Sequence, residues 1–566
     1  MSDAKAAKAA AKVLRQSNNE WSNKYFAIAM GSIMVLFAIH HWLEVMEIRG
    51  FPRQKSFLAR KTRFIRGLFS SSYKGLHIGR SALYTIYWAV NLILAVTNVD
   101  LTNMNYVAKR FGWIAVANLV LLVFLALKNT PLAPLTAKSY EKLRPLHKVA
   151  GYTCIFTSCL HGIVYLAAWA DSGELDSMQE VKNFAGAIAG LAMVLIGLST
   201  ITYLMRGYYE LFYMFHIILF ILIMITVGMH RPKFSSSTVI IVIFTACLWV
   251  SDRLIRTAKI CWNFFGNSAS ITALPDNAIR VRLNRRINST PGSHAFLWVP
   301  AIRWFESHPF TLLSSNPSEF VIRVYDGFTR DLYNAAQTSP GRVFRCSVDG
   351  PYGQVPNFQR FDKVILVGGG SGASFTFAIA LDLIEKPDTT VKTIDFIWAV
   401  RQQENLSWYS QELKRLQNHP SVNLFIYVTR QATIDSSGTS FLNIQDLSEK
   451  SPVETTGAPM ESSTSDSEVR DIEKGGPQYM NSNDEFSPDK ICSGRPDLNS
   501  LIAGSVATVS KKSSDDRIIV GVCGPIAMTN ATRQAVSSIA RQDGPSITQY
   551  TEVSIHKILF IKQGSI

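Results

Sequence analysis

Charge and cysteine are both scarce in this sequence. Asp, Glu, Lys and Arg make up 17% of the 566 residues, against about 25% in soluble domains. That shortage excludes a wholly soluble enzyme. Seven cysteines are too few for a disulfide scaffold in a chain of this length. Acids run short of bases, 42 against 57, leaving a net charge of +15. The surplus cations lie in loops between apolar runs, so the charge reports membrane topology and no nucleic-acid partner is expected. No small-residue cleavage signature follows the first apolar run, so the start is not read as a signal peptide. Instead, Ala4–Arg15 reads as a basic surface helix within a tail over 1–23.

What is present is a split chain. Seven apolar segments fall near 24–45, 81–98, 112–128, 149–170, 184–205, 211–229 and 236–251. Each approaches the roughly 20 residues that cross a bilayer as a helix. The stretch 46–80 carries nine Lys or Arg against Glu47 alone, and 128–148 carries five against Glu141 alone. Loop 171–183 holds Asp171, Glu174, Asp176 and Glu180 instead. Cationic loops stay in the cytosol, so everything after Arg253 is expected there, with membrane lipid around 24–256.

Ionisable groups inside membrane helices mark function by default. Two helices here carry two histidines each, His147 with His161 and His216 with His230. Fourteen residues make almost four helical turns, so each pair shares one face about 21 Å apart. Both helices run in the same direction, placing His147 level with His216 and His161 level with His230. Facing histidines at one depth clamp a haem iron axially, and two layers hold two b-type haems. The competing reading is of helix–helix hydrogen bonding. His40, His41 and His77 have no matching spacing and are read as interfacial or loop residues.

Beyond the last apolar run the pattern changes to short strands. Ile279–Leu283 and Ala295–Val299 flank a turn at Pro291 and Gly292, as in a small antiparallel barrel over 265–358. Within it, His308, Pro309, Phe310, Thr311 and Ser314 supply the rigid wall and donors that a flavin needs. Gly327, Phe328, Thr329 and Arg330 offer a turn, a hydroxyl and a cation for a pyrophosphate. Asp349–Gly353 reads as the turn closing the barrel. An α/β unit over 360–535 follows. Lys363–Val367 reads as a buried strand, and Gly368, Gly369, Gly370, Ser371, Gly372, Ala373 and Ser374 open a helix. Such a loop either holds a pyrophosphate on backbone N–H groups or is a plain tight turn. Arg401 and Arg430 end strands where a cation meets the 2′-phosphate of NADPH. Cys523, Gly524 and Pro525 end the strand Arg517–Val522, where a nicotinamide sits in an open sheet. A buried structural cysteine is the alternative there. Residues 435–490, with twelve acids and three bases between Asp435 and Asp489, read as a disordered insertion. Residues 536–566 read as a C-terminal tail.

Taken together, the paired histidines, Tyr209-Glu210-Leu211-Phe212, His308–Thr311, Gly327–Arg330, Gly368–Ser374 and Cys523–Pro525 resemble the ferric reductase / NADPH oxidase superfamily, nearest its fungal ferric/cupric metalloreductases. The resemblance implies a bundle of six to seven membrane helices, a β-barrel FAD domain and a ferredoxin reductase-like NADPH domain. It implies electron transfer from NADPH through FAD and two haems to an Fe³⁺ chelate or Cu²⁺, at the plasma membrane and upstream of an iron or copper permease. No acid/base residue is required. The alternatives are a superoxide-generating oxidase reducing O₂, including one in the endoplasmic reticulum or another internal membrane, and a non-enzymatic membrane scaffold. Tyr165 stands where oxidases of the superfamily carry a further histidine, which favours metal reduction. The terminal aromatic that caps the flavin in relatives has no clear equivalent, Phe560 being the nearest substitute.

Overall fold

The computed structural model describes residues 2–48, 72–73, 76–231, 237–386, 389–430, 433–434, 440–441, 491–510, 516–540 and 545–552. The expected insertion over 435–490 lies outside them apart from residues 440–441, and Phe560 lies outside them altogether.

All seven apolar segments are helical: Ser2–Ile48, Ile78–Val96, Met104–Ala126, Tyr140–Ser172, Val181–Ser199, Tyr209–His230 and Ser237–Phe264. Among the described residues six are long and apolar enough to cross a membrane. Ile78–Val96 falls short because Arg80, Tyr84, Tyr87 and Asn91 dilute its apolar face. Tyr87 and Asn91 are satisfied inside the bundle. The Tyr87 hydroxyl donates to Asn118 Oδ1 at 2.5 Å, and Asn118 Nδ2 donates to Asn91 Oδ1 at 2.7 Å. Interhelical polar bonds of this kind hold apolar helices in register where no hydrophobic drive exists. The basic start is no separate tail, because it continues without a break into the first apolar run as one 47-residue helix. Buried Arg110 fastens that helix to the bundle, donating to Asn19 Oδ1 at 2.8 Å and to the carbonyls of Leu94 and Thr97 at 2.7 and 2.9 Å. Those carbonyls end a helix and have no partner within it.

The strands after Phe264 form two antiparallel sheets. One has five strands in the order Ser314–Ser315, Ser318–Arg323, Ala278–Leu283, Ser268–Leu274, Val343–Arg345. The other has three, Ser347–Tyr352, His294–Trp298 and His308–Thr311. The two strands flanking Pro291 and Gly292 therefore belong to different sheets. Gly292 takes φ +77°, and a Cβ there would stand 2.8 Å from the Phe375 ring, so the turn presses on the following domain. Residues 349–352 are part of a strand with a register shift rather than a free turn. Phe310, Phe320, Phe328 and Phe344 fill the core between the sheets.

The last unit is a six-stranded parallel sheet in the order Cys492–Ser493, Val422–Val428, Thr393–Val400, Lys363–Gly369, Arg517–Cys523, Ser546–Thr551. Continuous burial along Val364–Val367 and Ile394–Val400 suits strands covered on both faces. Ser546–Thr551 lies in what the sequence suggested was a tail. Strand order reverses between Lys363–Gly369 and Arg517–Cys523, and their carboxyl ends make the crevice where ligands enter such sheets.

The half after Phe264 docks on one end of the helical bundle. Arg256 Nε donates to Asp349 Oδ2 at 2.8 Å, and Asn263 Nδ2 to the Val348 carbonyl at 2.8 Å. Ser347 Oγ donates to the Ile260 carbonyl at 2.6 Å, and Lys128 Nζ lies 3.3 Å from the centre of the Phe296 ring.

Candidate functional site

The membrane half builds two layers of facing histidines. His147 and His216 have ring centroids 6.4 Å apart, and His161 and His230 6.1 Å apart. Two metal–nitrogen bonds of about 2.0–2.1 Å, added to the radii of two imidazoles, span about 6 Å. The pairs are thus spaced to share one ion each. Among the described residues no group of three or more His, Cys, Asp or Glu could hold a metal. An ion held here takes its remaining ligands from elsewhere, as iron does from a macrocycle.

Ring orientation is set from outside each pair. His161 Nδ1 lies 2.7 Å from the Ala108 carbonyl, His230 Nδ1 2.7 Å from that of Lys182, and His147 Nδ1 3.0 Å from that of Leu122. A carbonyl only accepts, so Nδ1 carries the proton in these three and Nε2 is left with a lone pair. His216 Nδ1 is buried without a hydrogen-bond partner. In the 161/230 layer a second device repeats. One turn past each acceptor carbonyl sits a glycine, Gly112 or Gly186, where a Cβ would come within 2.9 or 2.6 Å of the ring. Between the layers lies an apolar cluster containing Leu119, Cys154, Met193, Ile196, Ile223 and Met224. Cys154 and Ile223 sit seven residues along from His147 and His216, on the same helical faces.

The 147/216 layer is nearer the two units that follow Phe264. Glu141 contacts these units through His294, and along the helix His147 is about 9 Å from Glu141 while His161 is about 30 Å away.

In the FAD-type unit, His308 stacks on Phe328 with centroids 4.7 Å apart, and its Nε2 lies 3.1 Å from Glu306 Oε2. Burial holds the His308 imidazole below its ordinary pKa despite that carboxylate. Pro309, Phe310 and Thr311 continue the same strand opposite Phe296, Ala295 and His294. Ser314 Oγ accepts from the Asn316 N–H. Gly327, at φ +80°, starts the helix Phe328–Thr338, so this motif is a helix N-terminus rather than a turn. The Thr329 hydroxyl is committed locally, accepting from the Tyr325 N–H and donating to its carbonyl at 2.8 Å each. Arg330 Nη1 donates to Asn277 Oδ1. Hydroxyl recognition of a pyrophosphate through Thr329 would therefore disrupt this turn, whereas the helix N-terminus offers backbone N–H groups.

In the nucleotide unit the Gly-rich loop and the Cys523 loop meet. A Cβ on Gly369 would stand 2.5 Å from Pro525 Cδ, and one on Gly372 2.6 Å from the Cys523 carbonyl. Gly370 takes φ +56°. Helix Ala373–Glu385 starts inside the motif, at its last two residues, and the buried Ser374 hydroxyl lies 2.6 Å from that of Tyr409. Gly524 packs against Gly369, where a Cβ would stand 3.1 Å from the Gly369 backbone, while Cys523 is buried and burial pushes its thiol pKa up. Arg401 and Arg430 are neighbours, since the Arg430 N–H donates to the Arg401 carbonyl at 2.9 Å. Burial and the guanidiniums of Arg323 and Arg430 lower the Arg401 pKa, which marks a cationic cluster at the sheet edge.

Sequence reasoning passed over the residues where the three units meet. His294 Nε2 lies 2.8 Å from Glu141 Oε1 and Nδ1 3.7 Å from Glu552 Oε1. Tyr550 stacks on Phe375 at 5.7 Å. The run Pro291-Gly292-Ser293-His294 before a strand was the available signal.

Comparison with known proteins agrees with this layout. The model of the ferric reductase like transmembrane component matches residues 111–227, an FAD-binding domain model 264–356, and the ferric reductase NAD binding domain model 361–537. Among curated proteins, the chain is 28% identical over 339 residues to "Probable cell surface ferric reductase kap2" of Aspergillus oryzae, covering 54% of this chain and 45% of that one. It is 25% identical over 383 residues to "Ferric/cupric reductase transmembrane component 2" of Schizosaccharomyces pombe, covering 57% and 66%. It is 24% identical over 495 residues to "Ferric/cupric reductase transmembrane component 1" of Candida albicans, covering 85% and 60%. The match thus spans about half to two thirds of these relatives' own length.

Proposed function

The chain belongs to the ferric reductase family, and from that premise we propose that it carries electrons from NADPH across a membrane to an Fe³⁺ chelate or Cu²⁺. FAD and two b-type haems would be the carriers, and His147 with His216 and His161 with His230 would hold the two haem irons. Two facing histidine pairs, stacked on the same two helices in a bundle that carries a flavin-type and a nucleotide-type unit at one end, are the observation that carries this reading. Bound flavin supplies the exchange between a two-electron hydride donor and one-electron acceptors, and bound haems supply one-electron relays. The chain's own part is positional. Helix N-termini at Phe328 and Ala373 suit the phosphates of the two nucleotides. His308–Thr311 and Ser314 line the flavin side, and the Gly368–Ser374 and Cys523–Pro525 loops line the nicotinamide side. Arg401 and Arg430 receive the 2′-phosphate, which NADH lacks. Apolar side chains between the histidine layers exclude water from the path.

Plasma membrane is the proposed location, with reduced metal handed to an iron or copper permease. Tyr165 supports a metal acceptor over O₂. It packs edge-on against His161 at 5.2 Å, where oxidases of the superfamily place a further histidine. Purified protein in detergent, given NADPH with ferric chelate, Cu²⁺ or O₂ alone, tests the assignment. Ferric chelate reduction that superoxide dismutase does not inhibit is the expected result. Inhibition by the dismutase would assign O₂ as acceptor, and a reduced-minus-oxidised spectrum without a b-type haem signal would reject the electron path.

A further inference from the structure

One buried cluster has no role in the account above. His294 is 3% exposed, Glu141 8% and Glu552 9%, and each comes from a different unit. Glu141 begins the helix that carries His147 and His161. His294 begins the middle strand of the three-stranded sheet. Glu552 directly follows the last strand of the nucleotide unit, Ser546–Thr551, and its N–H donates to the Val522 carbonyl at 2.9 Å. A small cleft lined by Ser139, Glu141, Lys142, Gly353 and Glu552 opens beside them. Neither His294 nitrogen has hydrogen-bond geometry to a carboxylate, so the contacts are charge pairing at short range.

We propose that His294 is a positioning residue, a cation set between Glu141 and Glu552 that clamps the nucleotide unit and the flavin-type unit against the start of the haem-bearing helix. The rest of the junction is arranged around it. Lys142 Nζ lies 4.1 Å from the Tyr550 ring centre, and the Tyr550 hydroxyl donates to Glu552 Oε2 at 3.0 Å. Tyr140 and Tyr352 pack on the imidazole with centroids 6.3 and 6.2 Å away. Lys128 lies over Phe296 and reaches Tyr140 and Tyr352 at 5.8 and 6.0 Å. The groups facing His294 are therefore Tyr140, Glu141 and Lys142 from the membrane helix, Lys128 from the preceding loop, Tyr352 from the neighbouring strand, and Tyr550 and Glu552 from the nucleotide unit. Two carboxylates buried without a cation between them would repel and stay undersolvated.

Burial alone would lower the His294 pKa, but Glu141 and Glu552 outweigh it and carry it up to about 9. A raised value means that the clamp is complete below the ordinary imidazole pKa and is lost as pH rises through about 9.

The proposal rests on the electron-transfer reading for its functional consequence, but its structural part is measured without it. In the full-length protein in detergent, hydrogen exchange of the backbone over 139–146 and 546–552 is followed for wild type, His294→Gln and Glu552→Gln. The expected result is at least tenfold faster exchange of both segments in both variants. Wild type, corrected for intrinsic chemistry, should lose protection as pH passes about 9, and His294→Gln should lack that step. In stopped flow the variants should reduce flavin at the wild-type rate but haem at least tenfold more slowly. Unchanged exchange in both variants overturns the clamp. So does an equal slowing of flavin and haem reduction, which would make His294 part of the flavin site. If wild type itself passes no electrons from NADPH to haem, the electron-transfer reading falls while the exchange data still decide the clamp.

Discussion

At the scale of single residues, four histidines carry the account, and they were legible because a 14-residue gap has a geometric meaning on a helix. Replacing His147 or His216 with Leu should reduce haem content from two to one per chain by pyridine haemochrome assay, with NADPH-to-flavin transfer intact. Full two-haem content in either variant would remove the ligand assignment. What the sequence could not display was the contact that fixes each ring. Nothing local marks Gly112 and Gly186, but in the fold a Cβ on either would stand 2.9 or 2.6 Å from the ring of His161 or His230. Gly112→Ala and Gly186→Ala should therefore displace those rings. Overpacking of this kind costs about 1–3 kcal/mol, and the outer haem should be lost or bound more weakly. Gly162→Ala, with nothing within 4 Å, serves as the control and should keep both haems. Arg401 is a third test at this scale. Losing a charge-assisted phosphate contact costs about 1.5–3 kcal/mol, or roughly ten- to a hundredfold in affinity. Arg401→Ala should raise the Michaelis constant for NADPH by that factor and leave that for NADH nearly unchanged; equal weakening of both would make the residue structural.

At the scale of elements, the apolar helices and the buried parallel strands stood out from the sequence, because continuous burial leaves a continuous apolar signal. Half-exposed elements did not. The strand Ser546–Thr551 buries only Ile547 and Tyr550, which enter the cores on opposite faces of the sheet and so leave no period-two pattern, and it passed for a tail. Pairing across a turn was also misjudged at Pro291–Gly292, because Ala278–Leu283 pairs with Ser268–Leu274 and Ser318–Arg323, whereas His294–Trp298 pairs with His308–Thr311 and Ser347–Tyr352. His294, Glu141 and Glu552 are far apart in sequence, and no local pattern links them. The same topology says where change is tolerated. Cys492 and Ser493 pair with Tyr427 and Val428, so the two ends of the 435–490 segment return to neighbouring strands. Loop closure costs grow slowly with length. Deleting Ser436–Pro488 should thus leave NADPH-to-flavin reduction within about twofold of wild type. Loss of NADPH oxidation in detergent would show that the segment packs on the site.

At the scale of the whole molecule, the flavin-type and nucleotide units both meet the bundle at the end where Glu141 lies. The nucleotide crevice lies at the carboxyl edge of the parallel sheet, and the flavin-type unit docks on the bundle through Arg256, Asn263 and Ser347. The 147/216 layer follows on the near side of the bundle and the 161/230 layer on the far side. A layout of this kind separates donor from acceptor by the thickness of a bilayer, about 30 Å of hydrocarbon. The central claim is therefore directional, and one measurement addresses it directly. Full-length protein with FAD and haem is reconstituted in sealed liposomes, with a membrane-impermeant ferric chelate trapped inside and NADPH added outside. The account predicts reduction of the trapped chelate, abolished by His161→Leu although flavin is still reduced. Reduction confined to chelate on the same side as NADPH, or trapped chelate reduced equally well by His161→Leu, would contradict it.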